Sequence, residues 1–173
     1  MLEKIINIKL ILLDVDGILC RGDITYIDNG FEIKTFNIYD GLGIKLAQMA
    51  GIKTGVITAR KSYALKRRMK ELKLDIVYQG NENKYEAYQK IKRKLNIDDK
   101  QICYLGDDLH DLPILYKVGF AVTVANAREE VKAVADYITE NRGGEGAVRE
   151  IIELILKKQK KYDKLIESFL EYE

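Results

Sequence analysis

The chain lacks the features that would tie it to a membrane, a nucleic acid or an oxidising compartment. No apolar run approaches the ~18 residues of a membrane span, and the N-terminus does not have the layout of a secretory leader. Neither sign of charge dominates, since 29 Lys and Arg stand against 27 Asp and Glu, for a formal net charge of +2. Only Lys157 to Lys164 is a basic cluster, so a nucleic-acid footprint is missing. Cys20 and Cys103, the two cysteines, sit in apolar surroundings without metal-type spacing, which points to two buried thiols in a reducing compartment. Pro113 is the sole proline, placed where a helix could begin, and His110 the sole histidine, expected in a loop rather than as a catalyst. Internal repeats and low-complexity segments are absent. The expectation is a soluble, cytoplasmic protein, and 173 residues, 47% of them hydrophobic, supply one core and are short for two domains.

What is present is an alternation of strand and helix patterns. The strand pattern from Ile8 lacks polar alternation over Leu10 to Leu13, as in a central parallel strand buried on both faces, and it stops on Asp14 and Asp16, followed by Gly17. Residues 24–27 and 31–36 flank Asp28-Asn29-Gly30, a strong hairpin signal. That ribbon carries Ile24, Tyr26, Phe31, Ile33 and Phe36; two strands alone are marginal in water, so a neighbouring subunit is its expected partner. A helical period from Asp40 to Gly51 puts Leu42, Leu46 and Met49 on one face. Strands follow at 53–58, 76–78, 101–105, 120–124 and 137–139, with helices at 62–72, 84–95, 129–135 and 148–158 and an amphipathic extension through Phe169. The order predicts an α/β fold, a doubly wound, Rossmann-like parallel sheet with a β-hairpin inserted after the first strand and no large cap domain. Residues 1–158 form the expected single domain, with the hairpin at about 21–40, and 159–173 a C-terminal helical extension. The glycine-rich run 142–149 is either a plain connector or a close backbone approach near the site; it has neither the G-x-G-x-x-G spacing nor the Lys-Ser/Thr ending of the phosphate fingerprints.

Ligands of such sheets bind beyond the carboxyl ends of the strands. There the sequence offers Asp14 and Asp16, Thr58, Lys84 at a helix start, and Asp107, Asp108 and Asp111. Phosphoryl transfer needs a nucleophile, positive charge around the equatorial oxygens and a proton donor for the leaving oxygen. Asp14 can attack phosphorus and form an aspartyl-phosphate, Asp16 can act as acid and then base, and Thr58 and Lys84 can hold the phosphoryl oxygens. Asp14 and Asp107 would attract a hard cation such as Mg²⁺.

The string Asp14-Val15-Asp16-Gly17-Ile18-Leu19, with Thr58, Lys84 and Gly106-Asp107-Asp108-Leu109-His110-Asp111, resembles the four motifs of the haloacid dehalogenase-like phosphatase superfamily. Within it, the hairpin, Phe36 to Gly41, Thr58 to Lys61, Tyr78-Gln79-Gly80 and the stretch 142–149 resemble the 3-deoxy-D-manno-octulosonate 8-phosphate phosphatase family, over about residues 8–158. Ala59 departs from the pattern where glycine is common. The resemblance implies Mg²⁺ held by Asp14, the main-chain carbonyl of Asp16 and Asp107 with Asp108 assisting, and a homotetramer in which hairpins meet. It also implies hydrolysis of a sugar-acid phosphate in lipopolysaccharide biosynthesis. Relatives acting on nine-carbon sialic-type acid 9-phosphates can carry glutamate where this chain has Arg60, so Arg60 is a candidate for reading the substrate carboxylate. Arg68 is a candidate for contact across a subunit boundary. Two other readings stay open: a phospho-accepting receiver domain, which needs an aspartate after the third strand where this chain has Gln79-Gly80, and a silent assembly module built on the hairpin.

Overall fold

In a computed structural model, which describes residues 2–28 and 30–170, the chain runs α1 (Leu2–Ile6), β1 (Leu10–Leu13), β2 (Thr25–Tyr26), β3 (Glu32–Ile33), α2 (Ile38–Met49), β4 (Lys53–Thr58), α3 (Tyr63–Glu71), β5 (Ile76–Gln79) and α4 (Lys84–Leu95). It continues through β6 (Ile102–Leu105), α5 (Leu112–Leu115), β7 (Phe120–Thr123), α6 (Glu129–Lys132), β8 (Tyr137–Ile138), α7 (Ala147–Lys158) and α8 (Tyr162–Leu170). Six strands form one parallel sheet in the order β5-β4-β1-β6-β7-β8, and β2 and β3 pair antiparallel outside it. This is the doubly wound, Rossmann-like sheet with a hairpin after the first strand, and no large cap domain stands among the described residues.

The unbroken apolar run of β1 follows from its place at the middle of the sheet. Leu10 and Leu12 point into one cluster with Tyr88, Ile91, Tyr104 and Val131. Ile11 and Leu13 point into the other, with Ile44, Leu46, Ile151 and Ile155. A strand covered on both faces has no solvent side to mark with polar residues. Helix starts follow local chemistry: Asn37, Ser62 and Asn83 accept hydrogen bonds from the first-turn amides of α2, α3 and α4. Buried Asp40, in the first turn of α2, accepts the N–H of Arg149 at 2.8 Å and so ties α2 to the start of α7.

Two expectations change, at α2 and at the hairpin. Leu42 and Met49 are exposed, and the buried side of α2 is instead Asp40, Gly41, Gly43, Ile44, Leu46 and Ala47. Its glycines permit that choice, because a Cβ on Gly43 would stand 3.1 Å from Arg149 Cα. The extension after α7 is a separate helix, broken where Lys160 takes φ +56° and Gln159 Nε2 donates to the carbonyls of Ile5 and Ile8 at 3.1 and 2.9 Å. The hairpin strands are two residues each, shorter than their apolar content suggested; Gly30 has φ +81°, as its turn requires, while Asn29 lies outside the described residues. Both cysteines are buried thiols.

Candidate active site

The chain leaves β1 toward β4 and β5 on one side and returns through β6 to β8 on the other. The crevice of such a sheet lies beyond the carboxyl ends of the strands at this switch. Leu13 stands opposite Leu105, and the Asp14 N–H donates to the Leu105 carbonyl at 2.9 Å, so Asp14 and the loop after β6 emerge together. Carboxylate oxygens of Asp14, Asp107 and Asp111 lie within 4.8 Å of one another. Lys84, buried at the first turn of α4, reaches between them, its Nζ 2.9 Å from Asp14 Oδ1 and 2.7 Å from Asp111 Oδ1. Thr58 ends β4 beside them, buried, its Oγ1 accepting the Arg60 N–H at 3.2 Å.

Asp111 is the centre of this cluster; the sequence shows it as one of three acids after β6, among which Asp108 is the expected assistant to the metal. Fully buried, Asp111 also accepts from Tyr104 Oη at 2.6 Å and from the amides of Asp107 and Asp108 at 3.0 and 3.3 Å. Asp108 is exposed, and its Oδ1 accepts the Leu109 N–H at 2.7 Å, capping the one-turn helix Leu109–Asp111. That turn is what swings Asp111 back under Asp107; the spacing of four residues was visible in sequence, the turn was not.

Three carboxylates share one ammonium, and burial makes the imbalance costly. Burial and then the charge of Asp111 push Asp14 up to about 8, with Lys84 pulling the other way. Burial and Asp111 likewise push Asp107 up to about 7. For Lys84 burial works toward deprotonation, but Asp14 and Asp111 outweigh it and hold the ammonium above its usual value. Asp107 Oδ1 is buried without a hydrogen-bond partner. An oxygen-rich pocket with excess negative charge and an unused carboxylate oxygen fits a divalent cation. Gly17, φ +93°, makes the approach possible: a Cβ there would lie 2.0 Å from Asp107 Oδ2.

Asp16, two residues after Asp14, is not among these three grouped carboxylates. Its Oδ1 pairs with Lys34 Nζ and accepts from Cys20 Sγ at 3.2 Å, and its Oδ2 is 3.7 Å from Arg60 Nε. Arg60 Nη2 binds Glu32 Oε1 of the hairpin at 2.7 Å. Arg68 lies away from these groups, 3.6 Å from Glu71 and against the backbone of α2 at Gly41. The glycine-rich run makes a close backbone approach: Gly144 N–H donates to the Ile18 carbonyl at 2.8 Å, and a Cβ on Gly143 would overlap the Gly17 carbonyl. It supports the turn that carries Asp16.

Residues 76–152 match the family of haloacid dehalogenase-like hydrolases. The 3-deoxy-D-manno-octulosonate 8-phosphate phosphatase of Escherichia coli K12 is 43% identical over 162 residues, 94% of this chain and 86% of that protein. The chain belongs to this phosphatase family of the haloacid dehalogenase-like hydrolases. Among solved structures of the family, the Moraxella catarrhalis phosphatase in complex with magnesium ion, phosphate ion and a KDO molecule superimposes with a TM-score of 0.95, at 43% identity and 97% coverage of each chain. The cobalt-bound Haemophilus influenzae phosphatase superimposes with a TM-score of 0.92, at 36% identity, covering 97% of this chain and 99% of that one. In this chain Asp14 and Thr58 follow or end parallel strands at the carboxyl edge of the sheet, and Lys84 meets Asp14 there from the first turn of α4. No helix among the described residues is long and apolar enough to cross a membrane.

Proposed function

We propose that the protein is an Mg²⁺-dependent phosphomonoesterase that hydrolyses 3-deoxy-D-manno-octulosonate 8-phosphate to the free sugar acid and inorganic phosphate, a step of lipopolysaccharide biosynthesis. The observation that carries this is the clustering of Asp14, Asp107 and Asp111 at the switch point of the sheet, with Lys84 paired to Asp14 and Asp111. An Asp14 oxygen attacks phosphorus while the bond from phosphorus to the sugar oxygen breaks, and Asp16 gives that oxygen its proton. Water then attacks the aspartyl-phosphate, Asp16 takes its proton, and phosphate leaves with Asp14 restored. Lys84 and Thr58 hold the phosphoryl oxygens through both steps. Asp14, the main-chain carbonyl of Asp16 and Asp107 would hold the metal, with Asp111 beneath and Asp108 at the rim. When bound, Mg²⁺ supplies the positive charge that lets an anionic carboxylate meet an anionic phosphate.

Arg60 is assigned to the carboxylate of the sugar acid. A guanidinium has five N–H donors, of which the Glu32 contact uses one, and the side chain is 40% exposed at the mouth of the site. A nine-carbon acid 9-phosphate is the competing substrate. Phosphate release measured on both sugars, with and without Mg²⁺, tests the proposal. Activity on the eight-carbon substrate is expected to exceed the other in kcat/KM by at least about tenfold and to vanish when divalent cations are chelated. A preference for the nine-carbon substrate would reassign the enzyme, and full activity without metal would sink the mechanism. The receiver-domain reading finds no carboxylate where it needs one, because β5 ends in Gln79.

The hairpin supports a homotetramer. From Phe31 to Phe36 burial alternates, with Glu32, Lys34 and Phe36 turned inward and Ile33 and Thr35 outward. Ile24, Tyr26 and Ile33 of the ribbon, with Ile38 and Tyr39 at the start of α2 beside it, together leave more apolar surface in water than this ribbon sustains alone. Ile33→Lys is expected to shift the species in analytical ultracentrifugation toward monomer; an unchanged sedimentation coefficient would remove the hairpin from the interface. Arg68 belongs to the same proposal, as a contact across that boundary.

A further inference from the structure

The hairpin also places a buried cation on the proton-carrying acid. Lys34 is on the ribbon's inner face, its side chain 1% exposed although Ile33 beside it is 47% exposed. Its Nζ pairs with Asp16 Oδ1 and stands 3.6 Å from Glu32 Oε1, and Glu32 in turn holds Arg60. The Cys20 thiol donates to the same Asp16 oxygen. One oxygen of Asp16 is therefore anchored from two sides, and Oδ2, with Arg60 3.7 Å away, is left as the oxygen that can exchange a proton.

We propose that Lys34 is a positioning residue for proton transfer. By fixing Asp16 Oδ1 it presents Oδ2 to the leaving sugar oxygen, so that the inserted ribbon serves its own subunit's active site as well as any interface. A lysine is suited to this because its ammonium is a compact charge that reaches a single oxygen without a fork to seat. Burial of the ammonium sharpens the contact, since Lys34 has little water to take in exchange for Asp16. The inference rests on Asp16 acting as the general acid.

Leaving-group dependence separates positioning from folding. An alkyl phosphate needs its leaving oxygen protonated as the bond breaks, whereas p-nitrophenyl phosphate expels a stable anion that does not, and kcat/KM reports this first step. For Lys34→Met, kcat/KM on 3-deoxy-D-manno-octulosonate 8-phosphate is expected to fall about 100-fold, and on p-nitrophenyl phosphate less than about fivefold, general acid catalysis contributing about 10²–10⁴. Lys34→Arg is expected to recover at least about tenfold of the loss on the sugar phosphate while still falling short of wild type. Equal losses on the two substrates, or no loss on either, would overturn the proposal, since a structural role disturbs both alike. Asp16→Asn is the control. If it keeps sugar-phosphate turnover, the general-acid reading fails and this inference with it; if it shows the selectivity and Lys34→Met does not, only the role of Lys34 fails. Should Lys34→Met not fold by circular dichroism, Lys34→Gln carries the same comparison.

Discussion

Asp14→Asn is expected to abolish phosphate release while making the metal-free protein more stable at alkaline pH. Loss of a covalent nucleophile costs about 10⁴-fold or more in kcat, because what remains of the site can bind phosphate but offers no atom to accept it. The gain in stability comes from the same carboxylate. Asp14 holds its proton until about pH 8 in the folded protein, against 3.8 for an unperturbed side chain. Between those values the unfolded chain has released the proton and the folded one has not. Stability from this group is therefore fully present below the lower value and is lost as pH rises toward the upper one. Asparagine cannot ionise, can still accept from Lys84, and leaves Lys84 opposite Asp111 as a matched pair. Thermal melts of metal-free protein at pH 5 and pH 8.5 should show the wild type losing stability across this range, by a few kcal/mol at most, and the variant losing less. Added Mg²⁺ should reverse the order at the higher pH, since the wild type keeps the better cation site. A variant within about tenfold of wild-type turnover would remove Asp14 from the mechanism.

Lys84→Met is expected to damage both activity and stability. The lysine is 7% exposed and is the ammonium that both Asp14 and Asp111 contact. Removing it leaves two buried carboxylates facing each other, a change that costs about 3–5 kcal/mol where a buried pair is broken. Part of that is recovered as a proton settles on the pair, which neutralises the nucleophile at the pH where it must attack. Turnover should fall about 10³-fold even with saturating Mg²⁺, because the phosphoryl oxygens lose a positive partner that the metal does not replace. Mg²⁺ should restore part of the melting temperature and little of the rate. Lys84→Arg is not expected to rescue, since a planar fork does not fit where one nitrogen sits 2.7 and 2.9 Å from two acids. Turnover within about tenfold of wild type would assign Lys84 a structural role alone.

The legibility of this site in the sequence followed the range over which each residue's role is set. Asp14 and Thr58 could be placed because each interrupts an apolar strand run, and strand ends in a parallel sheet share an edge. Lys84 could be placed because it opens the helical period of residues 84–95 that follows β5. Asp111 shows in the sequence only as one acid of a cluster, because its central place comes from Lys84, 27 residues earlier, and from a single turn of helix that no periodicity announces. Apolar spacing puts Leu42 and Met49 on the buried side of α2, whereas both are exposed, because spacing ignores how close Gly41 and Gly43 let neighbouring elements come.

The hairpin divides most sharply between the two sources. Its turn residues and apolar content announce a ribbon in need of a partner, and the sequence alone determined that, together with the fold class, the strand-end acids and the phosphate chemistry they imply. Only the tertiary structure decided which face of the ribbon turns where, bringing Lys34 and Glu32 onto Asp16 and Arg60 and leaving Ile33 outside. Local pattern encodes periodicity and backbone preference, which act within a few residues. The pairing of charges 18 and 28 residues apart depends on packing around them, and is fixed only once the chain has folded.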